Sequence, residues 1–268
     1  MKIFQVDSFT DKPFKGNPAG VCLLEKEQTE SWMQNIAMEM KLSETAFLLK
    51  IQEGFNLRWF TPETEVPLCG HATLASAHIL WEERILDEKE LARFYTKSGE
   101  LVCEKVDNWI KMSFPSRQVQ EVETPESLMN ALKLTGREMK LYRYDGNGEI
   151  LYLVEVVSDE IVKELNPNFE KLKEEDAKAV MVTAKSSSKE FDFLSRFFAP
   201  SLGVAEDPVT GSAHCYLAPY WGKKLNKNEL IGYQTSKRGG VVKCELRGQK
   251  VIIKGQAVTV LKGELVNC

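Results

Sequence analysis

The stretch Glu65-Val-Pro-Leu-Cys-Gly-His-Ala72 returns in the second half of the chain as Glu206-Asp-Pro-Val-Thr-Gly-Ser-Ala213. Both copies share the skeleton E-x-P-x-x-G-x-A. Both follow an aromatic segment with the same ending, Arg58-Trp-Phe-Thr-Pro62 and Arg196-Phe-Phe-Ala-Pro200. A duplicated glycine turn implies two similar lobes, and the positions that differ between the copies become candidates for chemistry. Working outward, Thr96-Lys-Ser-Gly-Glu-Leu-Val-Cys103 echoes Ser236-Lys-Arg-Gly-Gly-Val-Val-Lys-Cys244. The order in each half is strand, F-x-P corner, glycine turn, helix, second glycine turn and hairpin. The offset of roughly 140 residues suits two domains of ordinary size and is too long for a solenoid repeat.

The glycine turns sit before apolar segments. The residues after Gly70, with Leu74, Ala77, Ile79, Leu80 and Trp81, are apolar around the whole helix circumference, and so are Ala213, Tyr216, Leu217 and Ala218 after Gly211. Helices of that kind are buried on all sides. Around the first lie strand segments at residues 2–7, 21–24, 45–49, 55–60, 94–102 and 109–114. A helix capped by Thr29 carries Trp32, Met33, Ile36, Ala37 and Met40 on one face. Residues 116–125 read as a linker, and Thr124-Pro125 as a helix start. The charged region 158–176 reads as helical, broken at Asn166-Pro167, and strands follow at 180–183, 191–198, 240–246, 251–253 and 257–265. The expected fold is therefore α+β, with two pseudo-symmetric lobes, each a curled mixed sheet around a central helix. The division falls into an N-terminal lobe, residues 1–118, and a C-terminal lobe, residues 119–268, with the last strand free to return to the first lobe.

Composition narrows the function classes. The 268 residues are 43% hydrophobic and 28% charged, as in a globular protein with substantial cores. A net charge of −4 without a long basic run argues against nucleic acid. No apolar stretch approaches membrane length, and the N-terminus alternates like a strand rather than a secretion signal, which points to the cytoplasm. The six cysteines form no C-x-x-C pair and read as free thiols.

Several residues are candidates for chemistry. Gly70 and Gly211 either permit a tight turn or let an anion approach the free N–H groups of a helix start. Glu44 shares a strand face with Ala46 and Leu48. It is a solvated loop carboxylate or, if that face is interior, a desolvated base. Asp207 stands where the first copy has Val66, as a turn cap or as a hydrogen-bonding acid/base. His71, in the first turn of its helix, is a structural histidine or a neutral donor. His78 reads as packing, and His214 as a first-turn residue able to face a site. Cys69 precedes Gly70, where a helix start can activate a thiol, but its counterpart is Thr210, which cannot serve as a matching thiol base. No His/Cys spacing suggests a metal centre, and phosphate-loop and dinucleotide fingerprints are absent.

These residues carry a resemblance. Val6-Asp-Ser-Phe-Thr10, Phe14-Lys-Gly-Asn-Pro-Ala19, Leu42-Ser-Glu-Thr45, Leu68-Cys-Gly-His-Ala-Thr73, the Glu206–Ala213 turn and the segment from Gln234 to Gly240 occur in order. In them the chain resembles the PhzF-like, phenazine-biosynthesis-like isomerases. That resemblance implies the diaminopimelate epimerase-like fold, with a site between two lobes, and matches Glu44 to a proton-shuttling glutamate. His71, Asp207 and Ser212 match site-lining residues, and Gly70 and Gly211 the helix-start turns; Cys69 and Thr210 join the substrate-binding set. The expected protein is a cofactor-independent, homodimeric isomerase of a small anionic metabolite. Two alternatives stand beside it: a two-base amino-acid epimerase or racemase, and a non-catalytic binding protein. The first needs a cysteine from each lobe, and Thr210 departs from that pattern.

Overall fold

The structure is a computed structural model, which describes residues 1–146 and 148–266. The chain forms two compact units, residues 1–113 with 253–268, and residues 114–252. No helix among the described residues is long and apolar enough to cross a membrane.

The first unit is built from β1 (Lys2–Ser8), β2 (Asn17–Leu24), α1 (Glu30–Met40), β3 (Glu44–Ile51), β4 (Gly54–Phe60), β5 (Glu65–Val66), α2 (Gly70–Glu82), β6 (Ala92–Thr96), β7 (Gly99–Val106) and most of β8 (Trp109–Pro115). β1 pairs antiparallel with β2, β2 parallel with β3, and β3 antiparallel with β4. β4 continues in parallel to β6, and β6 and β7 form the hairpin that the sequence reads as one strand. Helix α2 packs on β1, β2 and β3. Ten of its 13 residues are buried. Small residues, Ala72, Ala75, Ser76 and Ala77, let strands approach from several directions. The outer helix α1 instead buries one stripe, Met33, Ile36 and Ala37, against Phe47 and Phe60, as its spacing predicts. Thr29 caps it by accepting from the Trp32 N–H.

The second unit repeats this with β9 (Gln120–Val122), α3 (Glu126–Leu132), β10 (Met139–Gly146), β11 (Glu149–Val156), α4 (Asp159–Glu164), α5 (Phe169–Lys173), β12 (Ala179–Lys185), β13 (Phe193–Ala199), β14 (Val204–Asp207), α6 (His214–Leu225), β15 (Glu229–Gln234), β16 (Gly240–Arg247) and part of β17 (Lys250–Gly255). The strand β18 (Ala257–Glu264) belongs to the first unit, where it pairs antiparallel with β1 and packs on α2. Residues 116–125, read as a linker, instead contain β9, which pairs with β10.

Helix α6 contains Pro219, which removes an N–H and leaves the Cys215 carbonyl without its helical donor. The backbone N–H of Arg117 supplies that bond at 2.9 Å. The buried helix thus keeps its apolar proline without an orphaned carbonyl. Five cysteines, Cys22, Cys69, Cys103, Cys215 and Cys244, are buried and form no disulfide among the described residues; Cys268 lies outside them.

Candidate active site

The repeated turns are supported by the same frame. In the first, Arg58 grips Glu65 with two parallel bonds, Nε to Oε1 at 2.8 Å and Nη2 to Oε2 at 2.7 Å. In the second, Arg196 grips Glu206 the same way at 2.7 and 2.8 Å. Each guanidinium also lies over the ring two residues on, Phe60 or Phe198, at 5.2 and 5.0 Å. A forked guanidinium and a carboxylate make a rigid, directional joint. It clamps the β4–β5 and β13–β14 corners from which the turns depart. Arg58 holds the Glu65 carboxyl below its ordinary range, with burial opposing the effect. The sequence displays both partners in both copies, yet they read there only as flanks of the aromatic corners.

A second shared brace is a serine. Ser98 Oγ donates to the Pro67 carbonyl, and Ser236 Oγ to the Pro208 carbonyl, each at 2.7 Å. Sheet register makes them equivalents. Phe94 stands opposite Phe55 in β4, and Gly232 opposite Phe193 in β13; four residues on are Ser98 and Ser236. The sequence echo aligned Thr96 with Ser236, two residues out of step.

Beside this frame three candidate groups meet: Cys69 and His71 from the first turn, and Glu44 from β3. Glu44 is the first residue of β3, paired with Ala19 of β2. The strand alternation expected for it carries little information, because Thr45, Ala46, Phe47 and Leu48 are all buried. His71 is the second residue of α2 and is 6% exposed. Its Nε2 lies 3.3 Å from Glu44 Oε2, without the alignment of a hydrogen bond, while its Nδ1 lies 3.5 Å from Cys69 Sγ. Burial lowers the His71 pKa to about 4, so the ring is neutral at pH 7. Ser8 Oγ fixes the His71 carbonyl at 2.8 Å, and Thr73 Oγ1 the Cys69 carbonyl at 2.6 Å. In the sequence Ser8 and Thr73 figure only as members of the quoted motifs, with no role assigned to them.

The donor atoms of Glu44, Cys69 and His71 all fall within 4.8 Å of one another, close enough to consider a cation. The imidazole, however, turns a different nitrogen to each neighbour. A chelate needs one nitrogen, the thiolate and the carboxylate converging on a single point. The observed order, Sγ beside Nδ1 and Nε2 beside Oε2, strings the three groups along the ring rather than around one point.

Gly70 opens α2, whose start has no side-chain cap. A methyl group placed on Gly70 would meet nothing within 4 Å, and its φ is not in the left-handed region. Neither turn geometry nor packing therefore requires glycine there. What a side chain would fill is open space beside uncapped N–H groups, the setting in which an anion approaches a helix start.

The second turn is closed by its own residues. Asp207 ends β14, and the Thr210 hydroxyl donates to its carboxylate. Gln234, fully buried at the end of β15, accepts from the Thr210 N–H at 2.9 Å and donates to the Asp207 carbonyl at 2.7 Å. Gly211 is buried and Ser212 exposed. The regular helix does not follow Gly211 directly. Residues 211–213 make a tight turn of i to i+3 bonds, His214 N–H to Gly211 O and Cys215 N–H to Ser212 O, and α6 begins at His214. His214, expected to be able to face a site, is instead wholly buried. Its Nδ1 lies 2.9 Å from the Thr210 carbonyl, and its ring packs beside Phe193 over Gly232, where a Cβ would come within 2.9 Å of Nε2. It plays the part of Thr73 in the first turn. His78, read as packing, is half-buried and 3.2 Å from Thr259 Oγ1. Gln234, from β15, is the polar partner of the second turn that sequence reasoning passed over, having marked it only as the first residue of a motif.

Comparison with known proteins shows the family and the fold. The profile of the phenazine biosynthesis-like protein family matches residues 6–263. An uncharacterized isomerase of Halalkalibacterium halodurans is 53% identical over 98% of each chain. A crystal structure of a PhzF-family protein from Enterococcus faecalis superposes with a TM-score of 0.90, at 41% identity and 98% coverage of both chains. A predicted epimerase from Pseudomonas aeruginosa, 21% identical, shares the fold with a TM-score of 0.76, covering 100% of this chain and 99% of its own. The chain belongs to the phenazine biosynthesis-like, or PhzF, family of isomerases.

Proposed function

We propose that the protein is a cofactor-independent isomerase that moves a proton along a small anionic metabolite, with Glu44 as the acid/base. The observation that carries this reading is the placement of the Glu44 carboxylate 3.3 Å from a buried, neutral His71 at the uncapped, glycine-first start of α2. A carboxylate in that setting can take a proton from a carbon activated by an adjacent unsaturated or carboxyl group. The carbanionic charge spreads through the conjugated system, and protonated Glu44 returns the proton at another carbon. No atom is gained or lost. Neutral His71 and the N–H groups at Gly70 are suited to hold the substrate carboxylate or the developing charge. In this reading Asp207, Ser212, Gly211 and Thr210 contribute from the second turn. The same reading makes the protein a cytoplasmic homodimer, a state that sedimentation tests.

The two-base epimerase reading is less well supported. Its second thiol is replaced by Thr210, whose hydroxyl is engaged with Asp207, and Cys69 faces an imidazole nitrogen. Incubation with candidate carboxylate metabolites in deuterated water separates the two. Migration of the double bond with label at a new carbon supports the isomerase. Label at one carbon with inversion, abolished in Cys69→Ala and kept in Glu44→Gln, supports the epimerase. Activity lost to a chelator and restored by a divalent metal contradicts cofactor independence.

A further inference from the structure

We propose that Cys69 is a positioning residue: its thiol donates to Nδ1 of His71 and so holds the ring as the tautomer whose proton is on Nε2, the nitrogen beside Glu44. The proposal gives meaning to the reading of Glu44 and His71 as a working pair, but it is carried by geometry alone. Sγ is 3.5 Å from Nδ1, within reach of a sulfur hydrogen bond. His71 Nε2 is buried and has no hydrogen-bond partner among the described residues, while Glu44 Oε2 stands 3.3 Å away. A neutral imidazole carries one proton, and the hydrogen bond at one nitrogen decides which nitrogen has it. A thiol on Nδ1 can donate, so Nδ1 accepts and the proton goes to Nε2.

The alternative tautomer would set a bare Nε2 lone pair against the carboxylate, a repulsive contact unless Glu44 were itself protonated. With the proton on Nε2, the ring presents a donor to Glu44 and to any anion that arrives between them. His71 is then a donor throughout and never a competing base. The cysteine has no acid/base duty of its own, which accounts for a helix-start thiol without a thiol partner at Thr210. Backbone anchors keep the ring from turning away: Ser8 on the His71 carbonyl and Thr73 on the Cys69 carbonyl.

The test reads the tautomer directly and needs no substrate. The full chain, with its three histidines 15N-labelled, is examined by long-range proton–nitrogen correlation at neutral pH, with His71→Gln assigning the signal. We expect His71 Nε2 to be the protonated nitrogen in the wild type. Cys69→Ser, which keeps a donor, should preserve that pattern. Cys69→Ala, which removes it, should shift the signal toward a mixture or toward the Nδ1-protonated form, with circular dichroism confirming that both variants remain folded. A wild type protonated at Nδ1, or a folded Cys69→Ala with an unchanged Nε2 tautomer, overturns the proposal. Should Cys69→Ala fail to fold, the wild-type and Cys69→Ser spectra still decide: a switch of tautomer between these two donors contradicts it. Normal turnover in Glu44→Gln would remove the proposed function while leaving this result standing, so the two failures are distinguishable.

Discussion

The two E-x-P-x-x-G-x-A turns share a frame and differ in what they do with their polar groups. Each is clamped by an arginine–glutamate fork and braced by a serine on the proline carbonyl. The second then uses its polar groups on itself, Thr210 on Asp207 and Gln234 on both. The first starts its helix at Gly70 without a side-chain cap and sets Cys69 and His71 in a row with Glu44 of β3. One scaffold thus occurs twice, and the residues that differ between the copies separate a turn whose polar groups bond to one another from one whose helix start carries no side-chain cap.

The largest effect expected is at the open turn. Glu44→Gln keeps shape and hydrogen bonding but removes the base, so turnover should fall by roughly 10²–10⁴, with little change in melting temperature. A folded variant with near-normal rate would end the comparison as drawn. Next come the forks. Arg196→Ala strands Glu206 and also removes bonds from Nη1 to the Val162 and Leu165 carbonyls, whereas the additional partner of Arg58 on its own side is the exposed Glu30. Chemical denaturation should show a loss of about 3–4 kcal/mol for Arg196→Ala and a smaller one for Arg58→Ala. Equal losses would mean that the frames are energetically alike.

Acid should act on both turns. Burial holds His71 and His214 at about 4, against 6.5 for an ordinary histidine. Between those values the unfolded chain binds protons that the folded one refuses. Stability is therefore fully present above about pH 6.5 and lost as pH falls toward about 4, by at most about 3 kcal/mol for each histidine. Urea titrations across that range should flatten in His214→Asn, which removes one of the two contributions. The smallest change is Gly70→Ala. Because its Cβ meets nothing, folding should be unaffected or gain up to about 1 kcal/mol, while sulfate affinity falls on the order of tenfold as the methyl fills the approach to the helix start. A titration with undiminished affinity would show that the anion does not use this turn.

What could be read from the sequence followed from locality. The buried helices, the one-sided α1 and the repeated corner each rest on residues within a few positions, and the two-lobed α+β plan follows from their repetition. The paired strands β10 and β11 and the strand Glu229–Gln234 did not announce themselves. The alternation of β10 and β11 is blurred by Arg143 and Glu155, whose charges meet distant Asp176, Tyr220 and Lys224. The delayed start of α6 was hidden because Gly211 and Gly70 look alike, and only the bonds around Thr210 distinguish them. Gln234 was missed for a general reason: a glutamine shows no sign in sequence of being buried, and its three bonds span 24 and 27 residues. The row from Cys69 to Glu44 is half legible, since Cys69 and His71 are neighbours but Glu44 arrives through the β2–β3 pairing.

Pro219 has a consequence for how the second unit is made. Its helix is complete only when the backbone at Arg117 has arrived to take up the Cys215 carbonyl. During synthesis from the N-terminus, that donor is already outside the ribosome when α6 emerges, so the helix can close against a waiting partner. A fragment that begins at Glu126 would lack it, and would have to leave a buried carbonyl bare or unwind the helix around the proline. Backbone upstream of the unit's central helix is thereby part of what completes that helix.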